Sequence, residues 1–122
     1  MPGQAAYDEG VRRRVLGLVG LGLRGRLVVT GTEQVKRAAQ KGGVQLVLLA
    51  RDASRHSVDK LGPLLRARGV EVMEWPSAAE LGGAVGRETT VAIGIVDQAL
   101  ARGIRGAVSG ASPAGDATRV SR

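Results

Sequence analysis

No cysteine occurs among the 122 residues, which excludes disulfides, thiolate metal sites and cysteine nucleophiles and fits a reducing cytoplasm. Phenylalanine is also absent, and Tyr7 and Trp75 are the only aromatic side chains. A sheet that holds single-stranded bases by stacking therefore has no platform here. Histidine occurs once, at His56, which reads as a solvated loop residue, and the acids are scattered without metal-ligand spacing or a carboxylate pair. Neither catalysis nor a cofactor is expected, and no small-molecule substrate. The apolar stretch over 15–23 is broken by Gly17, Gly20 and Gly22, too short and interrupted to span a bilayer. With no secretory cue either, the expected location is cytoplasmic, with no membrane partner.

Basic side chains are what the chain has in excess: 18 Lys and Arg against 11 Asp and Glu, a net charge of +7. The excess is uneven. Residues 1–45 carry eight basic and three acidic side chains, whereas residues 46–122 carry ten and eight. Recognition of a polyanion is the simplest physical reason, because Lys and Arg contacts to phosphates gain affinity by releasing counterions.

The length suits one domain. Val11, Val15, Leu18 and Val19 fall on one face of a first helix, with Asp8 as its cap, although its three glycines cost about 1 kcal/mol each relative to alanine. Close approach of a neighbouring backbone would account for them. Leu27-Val28-Val29 forms a brief strand, 31–41 a helix and 46–50 a buried strand. Residues 51–57 form a polar connection before a helix ending at Arg68-Gly69, in which Pro63 predicts a later start or a kink. Period-two alternation over 70–75 marks a half-buried strand, Ser77 to Glu80 is a capping-box match opening a helix, 89–96 is a β-rich run, and 97–104 suits a last short helix. The alternation of helix and strand predicts a three-layer α/β/α sandwich, a mixed four-stranded sheet with helices on both faces. Residues 1–7 are expected to be an unfixed arm, 8–104 the domain, and 105–122 a disordered basic tail.

Two motifs compete for the function. Gly20-Leu21-Gly22-Leu23-Arg24-Gly25 matches the dinucleotide fingerprint, but a β-type run follows the last glycine where a helix is required, and no acid lies between Glu33 and Asp52. The second, Thr30-Gly31-Thr32-Glu33, fits a capping box in which Thr30 caps a helix start and Glu33 reaches back. Lys36, Arg37 and Lys41 add cations to that helix, whose first turn exposes backbone N–H groups at the positive end of a dipole, an arrangement that attracts phosphate.

The run Gly31-Thr32-Glu33-Gln34-Val35-Lys36-Arg37-Ala38, with Lys41-Gly42, residues 46–52, Glu80-Leu81-Gly82, Ala84 and Gly86, resembles the kink-turn-binding ribosomal family, the L-seven-Ae, L-thirty-e, S-twelve-e and Gadd-forty-five group. Residues 91–97 are similar to its small bacterial members, the YlxQ-like ribosomal proteins. The resemblance covers about 11–104 and implies polar contacts to the sheared G·A pairs of a kinked RNA helix. On the family pattern G-x-N-E-x-x-K, Glu33 stands at the asparagine position, Gln34 at the glutamate position and Arg37 at the lysine position. Gln34 can donate or accept toward a guanine edge and Arg37 keeps a bidentate fork, whereas Glu33 cannot donate and carries negative charge. The loop 87–90, which in the family is usually apolar, is polar here.

The expected function is non-catalytic binding of structured RNA, a kink-turn or related bulged helix in ribosomal or other noncoding RNA, with ribosomal proteins as further partners. Gly31, Thr32, Glu33, Gln34 and Arg37 are the expected groove contacts, Arg24, Arg26, Lys36 and Lys41 the phosphate contacts, and Arg87 the rim. The alternative is a protein-interaction module on the same fold, which would require an exposed apolar patch.

Overall fold

The computed structural model describes residues 9–109, apart from Pro76 and the side chain of Trp75. Nine elements alternate along this stretch: α1 (Glu9–Arg24), β1 (Val28–Thr30), α2 (Thr32–Gln40), β2 (Leu46–Ala50), α3 (Arg55–Ala67), β3 (Glu71–Trp75), α4 (Ala78–Ala84), β4 (Ala92–Ile95) and α5 (Gln98–Ser109). The strands form one mixed sheet in the order β1-β4-β2-β3, with β4 antiparallel to both β1 and β2, and β2 parallel to β3.

Period-two alternation sorts the strand side chains into two cores. Val28, Leu46, Leu48, Ala50, Ile93 and Ile95 face α1, α4 and α5, where Val15, Val19, Leu81, Ala101 and Ile104 meet them. Val47 and Ala92 face the opposite way, toward Val35 and Ala39 of α2 and Leu61 and Leu65 of α3. Burial on both faces is why β2 and β4 read as continuous apolar runs. The expected three-layer sandwich is the fold that results.

Several local expectations need correction. Helix α5 continues through Arg105 to Ser109, five residues into the stretch expected to be a disordered tail, because Ala107 packs into the core one turn after Ile104. The remainder of that tail, the expected arm 1–7 and the proposed cap Asp8 lie outside the described residues. The polar connection ends early: Ser54 caps α3 by accepting from the Ser57 amide, so His56 sits exposed in the first turn of a helix. Pro63 lies inside α3 as expected, but the helix begins at Arg55 and not later. β3 is an edge strand with Val72 exposed rather than half-buried.

The fingerprint glycines belong to helix packing. Gly20 brings α1 against the Ala84 carbonyl, which an added Cβ would meet at 3.2 Å. Gly22 is filled by Leu100, 2.4 Å from where a Cβ would stand. Of the three helical glycines, Gly20 meets a neighbouring backbone as expected, Gly22 meets a side chain instead, and Gly17 has nothing within 4 Å.

Candidate nucleic-acid interface

The strand directions gather the loops that matter. β1, β2 and β3 all end at the edge of the sheet where β4 begins, so the starts of α2, α3 and α4 and the loop 86–91 share one end of the molecule. At that end Gly31 turns the chain from β1 into α2, with φ 92° and ψ 152°, a region open essentially to glycine alone. Its amide donates to the Ala92 carbonyl at 2.9 Å and its carbonyl accepts from Val35 at 3.0 Å.

The expected capping box does not form. Gly31 itself occupies the cap position and has no side chain to offer, while Thr30 is buried in β1, paired with Ile93. Glu33 does not reach back. Its carboxylate pairs with the Lys60 ammonium on α3. The hydrogen bond and charge of Lys60, with smaller effects of Lys36 and Arg37, hold the Glu33 carboxyl below the ordinary glutamate range. In consequence the first amides of α2 have no side-chain cap, and the positive end of the helix stays open at the surface.

Val35 and Ala39 anchor α2 to the sheet. Gly94 on the central strand permits the close fit, since a Cβ there would stand 3.0 Å from Val29 and 3.4 Å from Val35. Helical spacing then carries Gln34, Arg37 and Lys41 onto the flank of α2 that overhangs the edge strand β1. With Val29 and Ala38 they line an open groove of about 270 Å³. Gln34, Arg37 and Lys41 are all exposed, whereas Lys36 and Thr32 are half-buried. Such a groove offers an amide that both donates and accepts, a planar guanidinium fork and a mobile point charge along an apolar floor.

Arg24 and Arg26 are not beside the turn at Gly31. They precede β1, whereas Gly31 follows it, and because α2 folds back along β1 they belong to the end where α2 finishes at Lys41. Leu27 donates to Gly22 and Arg26 to Leu23, the paired bonds of a Schellman turn that places Arg26 at φ 62°, a conformation glycine usually takes. Arg87 stands exposed on the loop before β4, its amide donating to the Gly82 carbonyl at 2.8 Å. That loop packs on α4 so closely that a Cβ on Gly82 would come within 2.6 Å of the Thr89 Cα.

Three cations carry no signal in the sequence pattern. Lys60 lies 27 residues from Glu33, and only the packing of α3 on α2 brings the two together. Arg51 and Arg55 are exposed at the same end of the sheet as Gly31, in a segment whose polarity marks it merely as a connection. Asp52 in that segment caps α4, accepting from the Ala78 amide at 2.8 Å.

With this fold and groove in place, one protein-family model matches residues 14–102. The chain belongs to the ribosomal protein L7Ae/L30e/S12e/Gadd45 family. It is 33% identical over 84 residues to the RNA-binding protein YlxQ of Bacillus subtilis (strain 168), an alignment covering 69% of this chain and 84% of that protein. It is 28% identical over 103 residues to the RNA-binding protein YlxQ of Enterococcus faecium, covering 84% and 99%. Among solved structures, a protein of unknown function from Bacillus halodurans C superposes with a TM-score of 0.73 at 34% identity, over 79% of this chain and 97% of that one. The Giardia lamblia 15.5kD RNA binding protein shares the fold, with a TM-score of 0.71 at 22% identity, over 93% and 98%.

Proposed function

We propose that this protein binds structured RNA without catalysis, taking a kink-turn or related bulged helix of ribosomal or other noncoding RNA in the cytoplasm. The observation that carries this reading is the alignment of Gln34, Arg37 and Lys41 along one groove beside an uncapped helix start. Gln34 and Arg37 present groups that read base edges, and the Gly31 turn brings backbone amides to the same place. Lys41, with Arg24 and Arg26 beyond it, continues a cationic track suited to the phosphate backbone. Arg87 supplies a rim cation at the opposite end. The names of the two bacterial relatives support this reading.

Nothing favours the protein-interaction alternative comparably. Among the described residues, the exposed large apolar side chains are Leu21 and Leu23 on α1, Val58 on α3 and Val72 on β3, spread over three elements. Among the described residues, no helix is long and apolar enough to cross a membrane, and no group of three His, Asp or Glu could hold a metal ion.

Titration with a kink-turn RNA, and with the same RNA carrying Watson–Crick pairs in place of its tandem G·A pairs, at two salt concentrations, tests the reading. Clear preference for the intact motif is the expected result. Equal, salt-sensitive binding to both would reduce the function to a basic surface, and no binding would remove it.

A further inference from the structure

Glu33 poses a problem that RNA binding must meet: a carboxylate stands in the first turn of α2, one residue from Gln34, where phosphate and base-edge acceptors are to approach. It is the only acid on this helix. Left free, its negative charge would repel the phosphate backbone. The structure contains an answer on the neighbouring helix. Lys60 of α3 pairs with Glu33, on the flank of α2 away from the edge strand and the groove. The Lys60 side chain is 29% exposed against 59% for Glu33, so it is the more fixed partner and its alkyl stem rests on the protein. Nearby cations on α2 itself, Lys36 and Arg37, act on the same carboxylate more weakly.

We infer that Lys60 is a positioning residue for RNA recognition: by holding the Glu33 carboxylate against α3 and neutralising it, Lys60 keeps negative charge out of the groove formed by Gln34, Arg37 and Lys41. Lys60 does this without touching the RNA, and the inference rests on the RNA-binding function proposed for the groove. It also explains how an acid is tolerated at a position from which an RNA-facing side chain would be expected to donate hydrogen bonds. With the carboxylate tied to α3, the uncapped amides of the first turn and the side chain of Gln34 are left as the polar groups facing outward there.

A double-mutant cycle measured as kink-turn RNA affinity at low salt tests the inference. Lys60→Met keeps the stem and removes the charge, and it should weaken binding about fivefold, the equivalent of one newly unscreened repulsion. Glu33→Gln alone should change affinity less than about twofold, because the charge it removes is already neutralised. The double variant should return to near the wild-type value, and Lys60→Arg, which retains the pair, should bind as wild type. Thermal unfolding establishes that each variant is folded, and Lys60→Arg provides the folded reference if Lys60→Met is not.

Three results would overturn the proposal. If Lys60→Met binds as tightly as wild type, no positioning is needed. If the double variant stays as weak as Lys60→Met, Lys60 contacts the RNA directly. If Glu33→Gln strengthens binding by as much as Lys60→Met weakens it, the RNA is sensing net charge and the pair has no special role. Each of these leaves wild-type binding intact, so they are distinct from failure of the RNA-binding function itself, in which wild type does not bind and both fall together.

Discussion

The amide of Gly31 donates to the carbonyl of Ala92 at 2.9 Å, and this bond fixes the start of α2 to the first residue of β4. Two segments 61 positions apart in sequence are thereby held at one end of the sheet, the turn that opens the cationic helix and the loop that carries Arg87. The arrangement depends on a backbone conformation at residue 31 that side chains rarely adopt, φ 92° with ψ 152°.

Gly31→Ala isolates that dependence. The space around the missing Cβ is open, so the substitution adds strain without a clash. Urea unfolding should show a loss of about 1–3 kcal/mol. RNA affinity should fall with it, as the first turn of α2 moves. An unchanged midpoint would mean that the turn relaxes into an ordinary conformation at no cost.

Arg26→Gly should act in opposite directions on stability and binding. Residue 26 sits at φ 62° in the Schellman turn closing α1, so glycine there should stabilise the fold by about 1 kcal/mol. Loss of the cation should weaken RNA binding and make it less salt-dependent. A variant that is more stable and binds equally well would remove Arg26 from the phosphate track.

Arg37 and Lys41 line one groove but should fail differently. Arg37→Ala should weaken binding and relax discrimination between the intact and the G·A-disrupted kink-turn. Lys41→Ala should weaken both RNAs about equally and lower the slope of log affinity against log salt by about 0.7–0.9, the value for one phosphate no longer neutralised. Parallel behaviour of the two variants in a filter-binding series would show that Arg37 reads no base.

Gly82→Ala probes the loop before β4. The new Cβ would lie 2.6 Å from the Thr89 Cα and 2.8 Å from the Arg87 carbonyl oxygen, and both are backbone atoms that cannot rotate away. A stability loss of about 1–3 kcal/mol should appear on denaturation, with displacement of residues 87–90 visible in their amide chemical shifts.

Glu33 gives a pH signature. Its carboxyl is held below the ordinary glutamate range by Lys60, so the stability contributed by the pair is complete above the unfolded-state value and lost as pH falls through the folded one. A carbon-detected NMR titration should place the Glu33 midpoint below the ordinary glutamate value, and Lys60→Met should raise it. The pair is exposed, so its influence should also fade in salt.

Continuous apolar runs and helical spacing make the layers legible from sequence, because β2 and β4 are buried on both faces and α2 and α3 each keep one apolar flank. The strand over 46–50 is legible to the residue. The cap of α2 is not, because Thr30 has the right chemistry for capping but is held one position too early by its register against Ile93. Glycine and serine content hides the helical character of 105–109, and Ala107 in the core outweighs it. Gln34, Arg37 and Lys41 can be placed on one flank from their spacing alone. The partner of Glu33 cannot, since nothing local to either residue signals a pairing made by the packing of α3 on α2.

Mapping the surface directly tests the central claim. Amide chemical shifts of the full chain, followed as a kink-turn RNA is added, should change most at Gly31 to Lys41 and at Thr89 to Val91, with the Gln34 side-chain amide among the affected signals. Changes centred on α1 and α5 instead, with α2 unmoved, would contradict the assignment of this groove and helix start as the RNA-binding surface.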